Sequence, residues 1–413
     1  MITKNKIIYI IGGGVSGLTA ANYLEANGLS CTIIEATDRV GGRVKTDILK
    51  GYQLDHGFQV LLTAYPLAKK YLDYDKLELQ KLLPGSLIYK SSNKKGIIGD
   101  PLRDLSMLWK TIFSDLATLN DKILIFKLSN NLKKESLDAI FSKEDICTIE
   151  YLNNYGFSDK VISNFFKPFF SGIFLEDNLN SSSIMFEFIF KMFSEGFAAI
   201  PKLGMKAIPE QLKNNLKQTK FIFNKKVLSI NDGLIKLNNE NQLKYDFVIN
   251  TTEYDFYNKT NDSVIWNSCE NLYFEVNKFS HSKPIIGLIA NPNSLVNNIF
   301  CTTSIDTVNS GKKDLISVTI VKKHLLSENE LINKIKEELE FYCKFKDIVF
   351  LKKYNIKKAL LVKENIGYGN EIIQNDKNIY NAGDVKSNPS LNAAMLSGET
   401  AAKMIVKCIN KLI

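Results

Sequence analysis

The chain has 413 residues, of which 45% are hydrophobic and 23% charged, as expected for a globular protein with a buried core. Its length allows about two or three domains. The formal net charge is +9, from 53 basic and 44 acidic residues, and the lysines are scattered along the chain. This composition excludes a largely disordered chain, and the absence of a basic helix, a zinc spacing or an aromatic RNA-binding signature disfavours nucleic acid as a partner.

Cysteine and histidine are sparse. Six cysteines lie far apart without a C-x-x-C pair, and there are three histidines, so we expect neither a disulfide framework nor a bound metal. The first apolar segment, from Lys6 to Ile11, is too short for a signal core or a membrane span. These features predict a cytoplasmic protein and leave peripheral contact with a membrane open.

The first elements predict a nucleotide-binding unit. A strand from Ile7 to Ile11, a glycine-rich turn, a helix from Val15 to about Asn27 and a strand from Ser30 to Ile34 form one βαβ half. Glu35, which follows the second strand, can accept hydrogen bonds from a ribose diol. The turn and the start of the helix fit the G-x-G-x-x-G fingerprint, in which a pyrophosphate lies at the helix N-terminus: Gly12-Gly13-Gly14-Val15-Ser16-Gly17.

A second glycine pair, Gly41-Gly42, is followed by Arg43. The guanidinium can neutralise a pyrophosphate, and adjacent glycines let the chain pass close to a cofactor. A nicotinamide dehydrogenase has no evident need for this second element, which therefore favours FAD over NAD. The later Gly367-Tyr368-Gly369 lacks a third glycine and a helix, so a separate NAD(P)H-binding domain is not expected.

The middle of the chain differs from both ends. From about residue 100 to 197 apolar residues recur at helical spacing, and residues 157–197 are rich in phenylalanine. Strand-like segments return between residues 221 and 250 and again between about 270 and 322. A strand from Asn378 to Asn381 then meets a Gly383-Asp384 turn and a C-terminal helix from about Pro389 to Ile409.

These segments resemble the flavin-containing amine oxidase superfamily, which includes amine oxidases, protoporphyrinogen oxidase and carotenoid desaturases. Residues 52–61 resemble the segment beside the isoalloxazine, 200–209 resemble a P-x-G-G-M stretch, and 382–398 are similar to the closing FAD motif. The resemblance and the motifs together assign cofactor binding to Gly12, Gly14, Val15, Ser16, Gly17, Glu35, Ala36, Gly42, Arg43, Gly57, Phe58, Gln59, Val227, Thr251, Gly383, Asp384, Leu391, Asn392, Ala393 and Ala394.

The resemblance implies an α/β fold, in which a Rossmann-like FAD/NAD(P)-binding domain is interleaved with an α+β substrate domain. The predicted FAD domain takes residues 1–85, 200–262 and 350–413, and the substrate domain takes 86–199 and 263–349. Thr37 stands where amine oxidases often carry arginine, so one phosphate contact is expected to be missing. No cysteine lies near the C-terminal motif, which predicts noncovalent FAD.

The leading functional expectation is hydride transfer from a lipophilic substrate, such as a polyene or a tetrapyrrole, to FAD. An amine oxidase that releases hydrogen peroxide and a non-redox flavin-dependent isomerase remain alternatives, although no lysine is placed convincingly for amine chemistry. The phenylalanines of residues 157–197 are either core or substrate lining. His56 is better explained as a structural than a catalytic residue, and the sequence identifies no catalytic residue.

Overall fold

The computed structural model describes residues 6–99, 114–231, 233–256, 260–261, 265–277, 283–308, 311–363, 366–368, 373–374 and 378–411. The first part of the predicted helical region, 100–113, and Gly369 lie outside the described residues. The strands, numbered in chain order, are β1 Ile8–Ile11, β2 Thr32–Ile34, β3 Thr46–Leu49, β4 Tyr52–Asp55, β5 Leu61–Leu62, β6 Leu79–Lys81, β7 Gly85–Ser91, β8 Lys94–Gly99, β9 Ala198–Pro201, β10 Lys220–Ile222, β11 Val227–Asn231, β12 Leu234–Leu237, β13 Gln242–Lys244, β14 Phe247–Asn250, β15 Tyr254–Asp255, β16 Thr260–Asn261, β17 Ile265–Val276, β18 Ile286–Ile289, β19 Val296–Cys301, β20 Asp314–Ile320, β21 Val349–Val362, β22 Ile373–Gln374 and β23 Ile379–Asn381.

Helices surround these strands. A π-helical turn, Ile162–Phe166, separates two of them, and short 3-10 turns lie at Thr302–Ser304 and Asp384–Lys386. The α-helices are α1 Val15–Ala26, α2 Pro66–Tyr71, α3 Leu119–Lys134, α4 Leu137–Phe141, α5 Thr148–Tyr155, α6 Asp159–Val161, α7 Lys167–Phe174, α8 Ser183–Glu195, α9 Ala207–Asn215, α10 Glu328–Cys343 and α11 Leu391–Lys411.

The first sheet has the strand order β10-β2-β1-β14-β23-β22 in the described part of the chain. The inner strands pair in parallel, and β22 joins antiparallel to β23. β1 and β14 are buried almost throughout, as short apolar runs in a parallel sheet should be. The sheet combines the two ends of the chain with residues 220–250, so the α/β class expected from the sequence is confirmed.

Two helices that are distant in sequence cover this sheet. α1 packs against α11 along their lengths. Gly28, with φ +75°, follows the end of α1, and its N–H bonds to the carbonyl of Glu25 in a left-handed turn. The C-terminal helix therefore completes a layer that the N-terminal helix begins.

The second sheet has the order β21-β17-β20-β19-β18-β7-β8. β17, β20 and β19 are antiparallel neighbours, and α10 packs its buried Leu331, Ile335 and Leu339 against an apolar cluster of this sheet. The phenylalanine-rich helices α7 and α8 lie in a separate apolar cluster, together with α1 and α11.

The domain limits stay a prediction, and two of them fall at strands of the second sheet. The limit after residue 85 falls at the start of β7. The limit before residue 350 falls inside β21, which pairs with β17 from Val349 to Val362. Residues 350–362 therefore extend the second sheet rather than the first.

Candidate cofactor site

The N-terminus of α1 is open. Its N-cap, Gly14, has no side chain to bond the helix and forms an isolated parallel bridge with Gly41, and the N–H group of Ser16 has no hydrogen-bond partner among the described residues. The hydroxyl of Ser16 is also buried without a partner. Free donors at a helix N-terminus attract an anion, and a buried orphan hydroxyl points to a missing polar group. These residues fit the diphosphate of a dinucleotide.

Three glycines give this helix end its shape. A Cβ on Gly12, whose φ is +101°, would lie 2.6 Å from Thr251 Oγ1, and a Cβ on Gly17 would lie 2.1 Å from the carbonyl oxygen of Gly12. A Cβ on Gly398 of α11 would lie 2.1 Å from the carbonyl oxygen of Ser16. Since backbone atoms cannot move aside cheaply, only glycine allows the turn and the two helices to approach this closely.

Glu35 braces the glycine-rich turn. Its Oε2 accepts the Gly13 N–H at 2.7 Å, while Oε1 accepts the Thr37 N–H at 2.9 Å and the Thr37 hydroxyl at 2.8 Å. A carboxylate offers about four acceptor positions, so one remains for a ribose hydroxyl. Thr37, interpreted from the sequence only as a missing phosphate contact, therefore orients this carboxylate. The signal for this role in the sequence was a residue with a hydroxyl group two positions after the acidic residue.

The neighbouring predicted contacts lie beside Glu35. The Glu35 N–H donates to the carbonyl of Ile222 at 2.9 Å, and the Glu35 carbonyl accepts the Lys225 N–H at 3.1 Å. Val227 follows two residues later and shares a buried apolar cluster with Ile34, whereas Ala36 is exposed. Val227 and Glu35 are thus brought to the same edge of the first sheet.

The two ends of the chain meet at Thr251. Its hydroxyl donates to the Ile11 carbonyl at 2.8 Å, and its carbonyl oxygen would lie 3.4 Å from a Cβ on Gly383. Gly383, with φ +109°, donates its N–H to Ser397 Oγ at 2.6 Å. The closing Gly-Asp turn therefore lies beside the opening glycines.

A buried amide pair, which the sequence did not identify as functional, fixes the same region. Asn250 Nδ2 donates to Asn381 Oδ1 at 2.9 Å and to the Tyr254 carbonyl at 2.7 Å. The two asparagines end the neighbouring parallel strands β14 and β23. The available signal in the sequence was that an asparagine ends each of two apolar strands. That signal could be used only if the pairing of the two strands was known.

Arg43 and Asp384, both assigned to the cofactor, contact each other. Arg43 Nη2 lies 2.6 Å from each carboxylate oxygen of Asp384, and the guanidinium lies 5.0 Å from the ring centre of Trp266. The preceding Gly42, with φ +59°, would place a Cβ 3.4 Å from Gly14 Cα. The Arg43 side chain is 41% exposed, so it can turn from Asp384 towards a phosphate.

The segment predicted to run beside the flavin faces the second sheet. Gly57, with φ +91°, would place a Cβ 2.9 Å from Ile356 Cδ1 of β21. The Phe58 ring lies 5.1 Å from the Phe300 ring of β19. Gln59 Nε2 donates to the backbone carbonyls of Arg43 and His56, so its side chain holds the loop.

His56 is fixed by its neighbours. Its Nε2 lies 2.7 Å from Asp47 Oδ2, its ring lies 4.4 Å from the Tyr354 ring, and the Tyr354 hydroxyl donates to the same carboxylate oxygen at 2.9 Å. Burial alone would raise the pKa of Asp47, but hydrogen bonds from Arg39, His56 and Tyr354 outweigh it and lower the pKa to about 2. This contact set agrees with a structural rather than a catalytic His56.

The start of α11 offers free donors. Ser390 caps it, since its Oγ accepts the Ala393 N–H at 3.0 Å and its carbonyl accepts the Ala394 N–H at 3.0 Å. The N–H groups of Leu391 and Asn392 have no partner within the described ranges. The side chain of Asn392 is already used, because its Oδ1 accepts the Leu67 N–H at 3.0 Å. The backbone N–H groups of these two residues remain available to a ring system.

The phenylalanine-rich region divides into two groups. One group is fully buried core, and the other lines an apolar cavity of about 300 Å³ between α3, α7, α8 and the start of β7. Ser86 on β7 also lines the cavity, and its hydroxyl is buried without a partner. The core group is Phe157, Phe166, Phe170, Phe174, Phe186 and Phe188, and the lining group is Phe165, Phe169, Phe190, Phe193 and Phe197.

One face of α7 connects the cavity with β19. Phe169 lines the cavity, and Gly172, three residues later on the same face, would place a Cβ 2.6 Å from Asn297 Oδ1 of β19. The same strand carries Phe300, the partner of Phe58. Because three helical residues rise about 4.5 Å, the cavity wall and the strand are near neighbours.

Neither a membrane-spanning helix nor a metal cluster occurs in the described ranges. There, no helix is both long and apolar enough to cross a bilayer. In the same residues, no group of three or more histidine, cysteine, aspartate or glutamate side chains is placed to hold a metal ion.

Comparison with known proteins gives curated relatives of moderate similarity. Protoporphyrinogen oxidase 2 of Arabidopsis thaliana is 26% identical over 171 residues, which are 41% of this chain and 32% of that protein. The 4,4'-diaponeurosporene oxygenase of Staphylococcus aureus is 26% identical over 151 residues, 36% of this chain and 25% of that protein. The chain thus matches about a third or less of the length of these relatives.

The fold is shared more widely than the sequence. The structure of wild-type putrescine oxidase bound to putrescine superposes with a TM-score of 0.69 at 16% identity, covering 97% of this chain and 99% of that one. The sequence pattern of flavin containing amine oxidoreductases matches residues 15–264, well over half of the chain. The resemblance inferred from the sequence motifs is confirmed, and with it FAD as the cofactor. The chain belongs to the family of flavin containing amine oxidoreductases.

Proposed function

We propose that this chain is an oxidoreductase that binds FAD noncovalently and removes a hydride from an apolar substrate. The observation that carries the proposal is the open N-terminus of α1, with its orphan Ser16 hydroxyl, beside the Gly383-Asp384 turn. The diphosphate would be held by Gly12, Gly14, Val15, Ser16, Gly17, Gly42 and Arg43, the adenosine by Glu35, Ala36 and Val227, and the ribityl chain and ring by Thr251, Gly383, Asp384, Gly57, Phe58, Gln59, Leu391, Asn392, Ala393 and Ala394.

When bound, FAD accepts a hydride, that is two electrons with one proton, and passes the electrons to oxygen, a quinone or another acceptor. The residues of the chain position the reactants. The free N–H groups at the start of α11 favour negative charge on a ring placed there, since a helix N-terminus carries partial positive charge. Phe58 and Phe300, whose ring centres lie 5.1 Å apart, would offer an apolar wall beside such a ring.

No residue of the chain is assigned as a base. The His56 Nε2 lies 2.7 Å from Asp47 Oδ2, and its ring lies 4.4 Å from the Tyr354 ring at an angle of 32°. C–H cleavage is therefore driven by the substrate's own charge distribution rather than by a base supplied by the protein.

Noncovalent attachment rests on the position of the last cysteine. Cys408 lies far along α11, and its sulfur contacts the Tyr380 hydroxyl at 3.4 Å within the first sheet. A thiol engaged there is separated by more than four helical turns from Leu391, at the start of the helix.

The apolar cavity supports a lipophilic substrate. Six phenylalanines line it, and the Ser86 hydroxyl, which is buried without a partner, could bond one polar group of an otherwise apolar molecule. A volume of about 300 Å³ is at the lower end for ligand pockets, so it suits one arm or tail of a larger substrate.

The test is anaerobic reduction of the purified holoprotein by a panel of polyenes, porphyrinogens and amines. We expect yellow protein whose FAD is released by acid and whose visible absorbance is bleached by an apolar member of the panel. Ser129 lines the cavity and bonds Ser194 at 3.0 Å, so Ser129→Phe should fill the cavity and raise KM, whereas Ser129→Ala should not.

Other outcomes would replace the proposal. Bleaching by amines alone, with hydrogen peroxide on readmission of air, would identify an amine oxidase. Product formation that needs prereduced flavin and oxidises no substrate would identify an isomerase. Either result would contradict the proposed reaction without contradicting FAD binding.

A further inference from the structure

Helix α3 exposes large apolar side chains on one face. Leu119, Ile123 and Phe126 are 73%, 46% and 50% exposed and are spaced four and three residues apart. This spacing places them on one side of the helix, and we call them the apolar strip. Clustered exposed apolar side chains on a folded protein indicate an interaction surface.

The apolar strip surrounds the mouth of the cavity. Leu119 and Phe126 line the cavity and are also exposed, so the cavity opens between them. Ile125, on the next position of the helix, continues the lining inward. An apolar molecule could therefore pass from the surface into the cavity between apolar side chains, with Lys122 as the charged residue of the lining.

Positive charge surrounds the strip. Lys127, Lys133 and Lys134 are exposed on the same helix, and the Lys81 ammonium lies 4.9 Å from the ring centre of Phe197 at the cavity wall. The acidic residue of the helix, Asp121, is fully buried as part of the N-terminal capping box. The surface thus combines apolar side chains with exposed lysines, for which the described part of the chain shows no ion pair, as helices that lie in a membrane interface do.

We infer that α3 docks this protein onto an anionic lipid bilayer, with the apolar strip in the headgroup–acyl boundary and the cavity open towards the hydrocarbon. A second copy of the chain is a poorer occupant, because lysines would face lysines. Three side chains also supply far less than the roughly 800 Å² per partner of a stable protein interface. The inference rests on the surface and the cavity, and it holds whichever compound is oxidised.

The test is co-sedimentation of the full-length holoprotein with vesicles of phosphatidylcholine alone or mixed with phosphatidylglycerol. We expect binding to the mixed vesicles that weakens with added salt, since the lysine contribution is screened. The double variant Ile123→Ser, Phe126→Ser should bind the mixed vesicles about tenfold or more weakly. Lys127→Glu with Lys133→Glu should remove the preference for anionic vesicles.

The matched control is Phe341→Ser, because Phe341 is also 50% exposed on a helix and lies 5.7 Å from a lysine ammonium, that of Lys344. It should bind vesicles like the wild type. FAD content, measured after acid release, should be unchanged in every variant and shows that each is folded.

Three results would overturn the inference. The strip variant could sediment with vesicles as well as the wild type, or the Phe341 control could lose binding equally. Alternatively, light scattering without vesicles could show a dimer that the strip variant abolishes, which would make a second copy the occupant. None of these readouts depends on substrate turnover, so they are separate from the test of the proposed reaction.

Discussion

The substitution Glu35→Gln tests how the adenosine end of the cofactor is held. A glutamine keeps one carbonyl oxygen, which can accept from Thr37 or from Gly13 but not from both. If the oxygen faces Thr37, the new NH₂ group faces the buried Gly13 N–H, and two donors oppose each other. A buried donor left without a partner costs about 1–3 kcal/mol.

That cost falls mainly on the FAD complex. Without FAD the turn can move Gly13 away from the amide, whereas FAD must meet the turn in its native shape. We therefore expect the dissociation constant for FAD to rise about five- to 150-fold. The assay is titration of the apoprotein with FAD, followed by quenching of flavin fluorescence, with thermal unfolding of the apoprotein measured in parallel.

Glu25→Gln is the matched control. Glu25 accepts backbone N–H groups of Lys217 and Gln218 at 2.9 Å each, in the last turn of α1 and about 15 Å from its N-terminus. Because these bonds are exposed to solvent, Glu25→Gln should lower thermal stability only modestly, and it should leave FAD affinity unchanged. Unchanged FAD affinity in Glu35→Gln, or an equal loss in Glu25→Gln, would refute the reasoning.

Three further predictions concern stability and reactivity. Burial raises the pKa of Asp55 from 3.8 to about 6. Because the folded state holds the carboxyl proton more tightly than the unfolded state does, ionised Asp55 destabilises the fold increasingly as the pH rises from about 4 to about 6. Asp55→Asn should therefore raise the free energy of unfolding at neutral pH, by at most about 3 kcal/mol because the residue is only partly buried. In urea unfolding near pH 4 the substitution should have little effect. Equal effects at both pH values would contradict this. Gly398→Ala should lower the free energy of unfolding by about 1–3 kcal/mol and weaken FAD binding. Thermal unfolding and FAD titration measure the two effects, and the control Lys407→Ala, at an exposed position of the same helix, should show neither. Cys147 is exposed and should react with Ellman's reagent in the native protein, and rapid labelling of the buried thiols would contradict their placement. Burial raises the pKa of three other thiols, which should react only on unfolding: Cys31, Cys269 and Cys301.

The ends of the chain could be predicted from sequence because their signals are local. Strand, glycine turn, helix and acidic strand end are consecutive in residues 7–35, and each follows from periodicity and backbone freedom. The observed β1, α1 and β2 agree with the predicted elements to within two residues. The closing strand and helix were recognisable for the same reason.

Contacts between distant segments could not be predicted in this way. Arg43 and Asp384 are 341 positions apart, and nothing near either residue indicates that the two would pair with each other. Thr37 was interpreted as the loss of a phosphate contact because the sequence shows only that it stands where amine oxidases often carry arginine. Its hydrogen bond to Glu35 is visible only in the structure. These roles depend on which chain segments the fold brings together.

The phenylalanines illustrate the same limit. Phe169 and Phe170 are neighbours in sequence and equally apolar, yet one lines the cavity and the other is core. Helical spacing separates their faces but does not reveal which face meets another layer. Similarly, the predicted limit at residue 350 falls inside β21, because the pairing partner β17 is more than 70 residues earlier.

The most direct test of the account is a crystal structure of the protein with FAD. The account predicts one FAD per chain, with its diphosphate against the N–H group of Ser16 and its ring at the N–H groups of Leu391 and Asn392. A diphosphate bound away from the N-terminus of α1, or a ring remote from α11, would contradict the claim that both ends of the chain enclose a single cofactor.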